Sequence, residues 1–152
     1  MAQPGMLTGG RERATRLAMK LAGAVHRRLY GATGGRIGRA VGGMPVLLLT
    51  TTGRKSGRPR TWPLGYLEDG GNLVVIASAG GVSSHPAWYL NLRDRPEVTI
   101  QVGGRRQTMR AETAGPEERG RLWRRLVADY PFFADYQART DREIPVVVLR
   151  PA

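Results

Sequence analysis

Two apolar runs set close together constrain this chain more than anything else in it. Pro45-Val46-Leu47-Leu48-Leu49 and Trp62-Pro63-Leu64-Gly65-Tyr66-Leu67 flank the segment Thr50-Thr51-Thr52-Gly53-Arg54-Lys55-Ser56-Gly57-Arg58-Pro59-Arg60-Thr61. Short apolar runs bounded by turn residues read as paired strands, and Gly53 and Gly57 accept the backbone geometry that a reversal needs. The turn carries more chemistry than a plain hairpin requires. Arg54, Lys55, Arg58 and Arg60 bring cations, Ser56 brings a hydroxyl, and the glycines leave N–H groups unscreened. Such a set suits a phosphate or a carboxylate; the alternative is a basic, solvated hairpin tip. The Gly-x-x-x-x-Gly-Lys-Ser/Thr order of a nucleotide-binding phosphate loop is absent from it.

Strand signals continue beyond this pair. The chain reads as strands at about 45–52, 60–68 and 72–78, with Glu68-Asp69-Gly70-Gly71-Asn72 as the turn between the last two. Leu73-Val74-Val75-Ile76-Ala77 is apolar without a break, which places it centrally in a sheet. A second hairpin, 98–102 with 107–112, turns through Gly103-Gly104, and 144–149 closes the chain as a final strand. Helices are expected over about 11–30, from near Pro86 with Ser84 as N-cap, and from Gly115-Pro116-Glu117-Glu118. About six strands joined by hairpins, with flanking helices, make an α+β chain of mainly antiparallel β that commonly curls into a barrel.

The chain has 152 residues, enough for one domain with a real core, and no cysteine. Its two histidines are too few and too far apart for a metal site, and no metal is expected. No nucleophile triad is evident. A net charge of +12 and a pI near 11.4 draw anions: nucleic acid, lipid headgroups or a polyanionic small molecule. No apolar run reaches the roughly 20 residues of a membrane span, and the start of the chain lacks a secretory pattern, so a cytoplasmic location is expected. Residues 1–43 divide off as a basic amphipathic helix and a glycine-rich connector, leaving 44–152 as the barrel domain. The helix stripe Ala14, Leu17, Leu21, Val25 and Leu29 either packs on the domain or, with its arginines, meets the inner face of a membrane peripherally.

Three blocks then fall in one order: Leu49 to Arg60, Ala77-Ser78-Ala79-Gly80-Gly81, and His85-Pro86-Ala87-Trp88-Tyr89-Leu90-Asn91-Leu92. They resemble the motifs of the deazaflavin-dependent nitroreductase family of actinobacteria, over roughly residues 42–150. The resemblance implies a split β-barrel related to FMN-binding barrels, the deazaflavin coenzyme F420, and hydride transfer from its reduced form to a planar, electron-poor acceptor such as a quinone or a nitroaromatic. It further implies that Arg54, Lys55, Ser56 and Arg60 hold the cofactor's phosphate and glutamate tail, with Ser78 and Ala79 contributing. Trp88 and Asn91 would lie near the deazaflavin, and Pro63 and Tyr66 would line the same groove. Tyr130, Phe133 and Tyr136 would form the acceptor wall with Tyr66, and Ser78, Tyr130 and Tyr136 would orient the acceptor or relay a proton. Ala79 departs from the family, which often carries lysine there, and this removes a cation from the phosphate grip.

Rival readings differ in what they do with the charge. An FMN enzyme on the same barrel needs fewer cations than a glutamate-tailed cofactor uses. A non-catalytic cofactor carrier shares every binding residue. A nucleic-acid-binding module would rest on charge alone, without a helix-turn-helix, RNP-like aromatics or zinc spacing; no nucleic acid is expected.

Overall fold

The computed structural model describes residues 40, 41 and 43–152. In chain order these form β1 (Ala40–Val41), β2 (Met44–Thr52), β3 (Pro59–Asp69), β4 (Asn72–Ile76), a 3-10 turn (Ala79–Gly81), α1 (Ala87–Asp94), β5 (Glu97–Val102), β6 (Arg105–Thr113), α2 (Pro116–Asp129), α3 (Phe132–Ala138) and β7 (Val146–Pro151). The sheet runs β1-β2-β3-β4-β7-β6-β5, and β5 pairs back onto β2. Every pairing is antiparallel, so β2 to β7 close into a six-stranded barrel with β1 as a short addition to β2. The split-barrel expectation holds. Residues 40–41, expected to be connector, pair with Met44 and Pro45. The helix expected over 11–30, and any lipid contact it makes, lie outside the described residues. Among the described residues no helix is long and apolar enough to cross a membrane.

The barrel has two apolar faces, and this explains the unbroken run at 73–77. Successive side chains of a strand point to opposite sides. Leu47, Leu49, Val75, Ala77, Val147 and Leu149 fill the interior together with Val98, Ile100 and Met109. Val74, Ile76, Val146 and Val148 point outward, where Leu122, Leu126 and Phe133 of the helices cover them. A strand buried on both faces must be apolar at every position.

Each helix has a local cause. α1 begins at Ala87 with Pro86 in the N-cap position, two residues past the expected Ser84, and Pro86 makes no side-chain cap hydrogen bond. Its Trp88, Tyr89 and Leu92 enter the interior cluster and plug one barrel end. α2 starts with Pro116 in its first turn and Glu117 and Glu118 against the positive end of its dipole. Pro131 lacks an N–H and separates α2 from α3. Tyr130 therefore ends α2 and does not share a helical face with Phe133 and Tyr136, although a spacing of three residues would suit one.

Candidate functional site

The loop between β2 and β3 closes on itself. Gly53 N–H donates to Arg58 O (2.8 Å), Gly57 N–H to Gly53 O (2.8 Å), and Arg58 N–H to Ser56 Oγ (3.1 Å). A Cβ at Gly53 would sit 2.6 Å from Ser56 Oγ and 3.2 Å from Arg58 O, so a larger residue would push the Ser56 hydroxyl out of the turn. One buried amide fastens it to the barrel. Asn91, on α1 and 4 % exposed, accepts from Arg54 N–H through Oδ1 (3.1 Å) and donates through Nδ2 to Thr51 Oγ1 (3.1 Å). Both ends of the amide are thus engaged with protein. Asn91 thereby ties the loop to α1 and β2.

A cavity of about 230 Å³ opens here, lined by Gly53, Arg54, Lys55, Ser56, Arg60, Trp62, Ala87 and Asn91. The expected anion-holding residues Arg54, Lys55, Ser56 and Arg60 are brought together in it. Their cations are exposed and, among the described residues, no carboxylate pairs with them. Among the described residues, ion pairs occupy only four arginines, all outside this loop: Arg121 and Arg125 with Asp69, Arg150 with Glu112 and Glu118, Arg119 with Glu143. The Arg121 hydrogen bond is the main reason the Asp69 carboxyl is held below its usual range. Unmatched cations over a cavity with a hydroxyl and loop amides suit a phosphate with further carboxylates.

A second cavity, of about 420 Å³, lies on the outer face of the barrel beneath α3. Met44, Val46, Pro63, Gly65 and Ile76 give it an apolar floor, Ser78 and Gly80 one wall, and Phe132, Phe133, Tyr136 and Arg139 the other. The aromatic wall is tightly arranged: Phe132 and Phe133 lie 4.6 Å apart, and Phe133 and Tyr136 meet edge to face at 5.8 Å. Arg139 supplies the one charge in this lining and stands over the Tyr136 ring at 5.6 Å. The third ring is Phe132, 37 % exposed, which sequence reasoning passed over.

Several expected site residues fall elsewhere. Pro63 lines the outer cavity, but Tyr66 is an odd number of positions away and so points into the barrel, where it is 6 % exposed. Tyr66 lines a separate 370 Å³ opening with Leu73, Ile100 and Met109. Trp88 is 4 % exposed within the interior cluster and is not part of the lining of either cavity. Tyr130 lines neither cavity and instead rests near Phe132, ring centroids 6.2 Å apart. Ala79 is buried beneath its turn with φ at +46°. A left-handed conformation at a residue with a Cβ costs about 1–2 kcal/mol, so something must hold this turn. That holder is Arg142, which the sequence offered no signal to find; its guanidinium reaches the Ala77, Ser78 and Val82 carbonyls.

Two cavities flank one strand. Arg60 borders the first cavity and Pro63 the second, about 10 Å apart along β3 at about 3.3 Å per residue. Comparison with known proteins identifies the family. Residues 23–151 match the F420H(2)-dependent quinone reductase family. An F420H(2)-dependent quinone reductase of Mycobacterium tuberculosis strain H37Rv is 42% identical over 129 residues, covering 82% of this chain and 87% of that protein. A solved F420-H2 dependent reductase is 41% identical with a TM-score of 0.64, covering 70% of this chain and 94% of that one. A second solved chain, described as a domain-swapped dimer, is 38% identical with a TM-score of 0.66, over 84% of this chain and 94% of that one. The closed antiparallel barrel, the unmatched cations and these likenesses lead to one conclusion: the chain belongs to the F420H(2)-dependent quinone reductase family.

Proposed function

We propose that this protein reduces quinones with reduced F420, holding the cofactor's phosphate and glutamate tail over the 53–60 loop and the acceptor beneath α3. The observation that carries this is the convergence of Arg54, Lys55 and Arg60, with no carboxylate partner among the described residues, on one cavity that Ser56 and Gly53 also line. A donor set of that kind fits a tailed polyanion better than a lone phosphate, which disfavours FMN. Reduced F420, when bound, supplies the hydride; the protein's own part is position and electrostatics.

The acceptor cavity suits a planar molecule. Phe132, Phe133 and Tyr136 give it aromatic surface at little entropic cost, and the floor from Met44 to Ile76 excludes water from one side. A quinone that takes up a hydride and one proton becomes a hydroquinone, and between the two events one oxygen carries negative charge. Arg139, Tyr136 and Ser78 all line this cavity; in this reading the Arg139 cation stabilises that oxygen, and the Tyr136 or Ser78 hydroxyl orients it or passes the proton. Planar nitroaromatics present oxygens of the same kind and form a second acceptor class.

Titration of the purified protein with F420 and with FMN tests the reading. F420 should bind far more tightly, and its affinity should fall as salt rises, because the contact is between charges near solvent. Arg54→Ala or Lys55→Ala should each weaken F420 binding by about 1–3 kcal/mol, the scale of a hydrogen bond to a charged group, and leave the melting temperature nearly unchanged. Equal affinity for FMN, or full F420 affinity in both variants, would sink it.

A further inference from the structure

The two walls of the acceptor cavity come from distant parts of the chain, and one side chain ties them together. Ser78 and Gly80 form one wall; Phe132, Phe133, Tyr136 and Arg139 form the other. Arg142, in the segment between α3 and β7, points its guanidinium at the back of the first wall. Its Nε donates to Val82 O (3.0 Å), Nη1 to Ala77 O (3.1 Å) and Nη2 to Ser78 O (2.8 Å). Nη1 also reaches His85 Nδ1 at 3.2 Å. Four contacts from one planar fork fix the segment 77–85 in direction as well as distance.

The other end of the tie is equally specific. The Arg142 carbonyl accepts from Gln137 Nε2 (2.8 Å), and Gln137 Oε1 accepts from Ile144 N–H (2.9 Å). Gln137 belongs to α3, the helix that carries Phe133 and Tyr136 into the cavity. The contact is close: a Cβ at Gly81, whose φ is +79°, would lie 2.6 Å from the Tyr136 carbonyl oxygen. The turn between the walls is also strained, with Ala79, Gly80 and Gly81 all at positive φ and Ala79 carrying a Cβ. A turn of that kind relaxes when its restraint is lost.

We infer that Arg142 is a positioning residue for the reduction: it presses the Ser78–Val82 turn against α3 and so sets the width of the acceptor cavity. It does so without lining the cavity itself. The inference rests on the acceptor assignment made above. It accounts for how a turn with a left-handed alanine stays in place beside the site. It also bears on one half of the site, since these guanidinium hydrogen bonds go to the 77–85 segment that carries the first wall of this cavity.

Three variants and one small molecule test it. In Arg142→Ala, kcat/KM for menadione with reduced F420 should fall about tenfold or more, the scale expected when a reacting partner is misplaced by a fraction of an ångström to an ångström. F420 affinity should change less than about twofold, since its charged contacts lie elsewhere. Millimolar guanidinium should restore a substantial part of the lost turnover by refilling the fork, which a general loss of stability would not allow. Amide exchange over residues 77–85 should rise in Arg142→Ala and fall again with guanidinium. Arg142→Lys keeps the charge and loses the fork, and should fold yet remain impaired. Arg142→Gln should resemble it. A folded Arg142→Ala with wild-type menadione kinetics would overturn the inference, as would a loss that guanidinium leaves untouched while Arg142→Lys is fully active. If Arg142→Ala does not fold, Arg142→Lys decides: impaired kcat/KM supports the fork, wild-type kcat/KM rejects it. A wild-type protein inactive on every quinone would sink the acceptor assignment alone, and the exchange experiment would still report on the tie.

Discussion

The cations of the 53–60 loop stand in solvent with no carboxylate partner among the described residues, whereas the 420 Å³ cavity draws Met44, Ile76 and Phe133 from the core itself. Arg54, Lys55 and Arg60 contribute nothing visible to packing. Phe133, by contrast, is 7 % exposed and belongs to the same outer cluster as Leu122, Leu126 and Ile144. The difference teaches where a family can vary its function cheaply. An exposed cation can be exchanged at the expense of ligand affinity alone, since surface changes usually move stability by no more than about 0.5 kcal/mol. A cavity wall shared with the core ties acceptor choice to stability.

Phe133→Ala is the strongest way to press that contrast. Truncating a buried phenylalanine removes transfer energy and leaves a hole, a loss of about 3–5 kcal/mol. Unfolding in denaturant should show that loss, and KM for quinones should rise in whatever fraction stays folded. F420 affinity should hold. If stability is kept while KM rises, the wall is free of the core after all, and the two regions are built alike.

Asn91→Ala should blur the distinction from the other side. Asn91 is the one buried polar side chain that joins the loop to α1, through Arg54 N–H and Thr51 Oγ1. Its removal leaves those two groups unpartnered, at a cost of about 1–3 kcal/mol in stability, and frees the loop that presents the cations. Both the melting temperature and F420 affinity should drop, unlike in Arg54→Ala. Asn91→Asp keeps the acceptor for Arg54 N–H and should retain more affinity than Asn91→Ala. If Asn91→Ala leaves F420 affinity intact, the loop holds its shape without the amide.

This contrast also governs how far the sequence could be read. The loop was legible because its chemistry has no packing use, and a run of Gly, Arg, Lys and Ser between two strands stands out. The barrel was legible because strands 73–77 and 146–149 are apolar on both faces and the hairpin turns carry their glycines. The acceptor cavity was harder. Aromatics spaced three apart at 130, 133 and 136 suggested one helical face, but Pro131 breaks the helix and puts Phe132 where Tyr130 was expected. Tyr66 was assigned to the groove of Pro63 although strand alternation sends the two to opposite faces. Arg142 and Gln137 had no pattern to betray them, because their partners are backbone atoms about sixty residues away and within the next turn. Trp88 carried a motif's signal, yet its position on α1 sends it into the barrel interior.

The smallest expected effect concerns His85, which touches the wall region and leaves the loop region alone. Burial is the main cause that lowers its pKa below 6.5, and the nearby Arg142 and Arg93 guanidiniums add to it. Its Nδ1 faces Arg142 Nη1, a donor, so the ring is neutral there with its proton on Nε2, and it leans on Tyr89 at 4.9 Å. Between the lowered native value and 6.5, the unfolded chain therefore binds more protons at this residue than the folded one. Stability from His85 is present above pH 6.5, falls as the pH drops through that window, and is gone below the native value. Protonation would also set two cations against each other and loosen the tie on the Ser78–Val82 turn. Melting temperatures of wild type and His85→Gln, followed from about pH 7.5 to about pH 5, should show the wild-type advantage shrinking across the window. KM for menadione should rise over the same range in wild type only, while F420 affinity follows a pH course shared by both proteins. A difference in melting temperature that stays constant over the whole range would show that His85 does not titrate against Arg142, and the wall would then have no pH dependence of its own in this window.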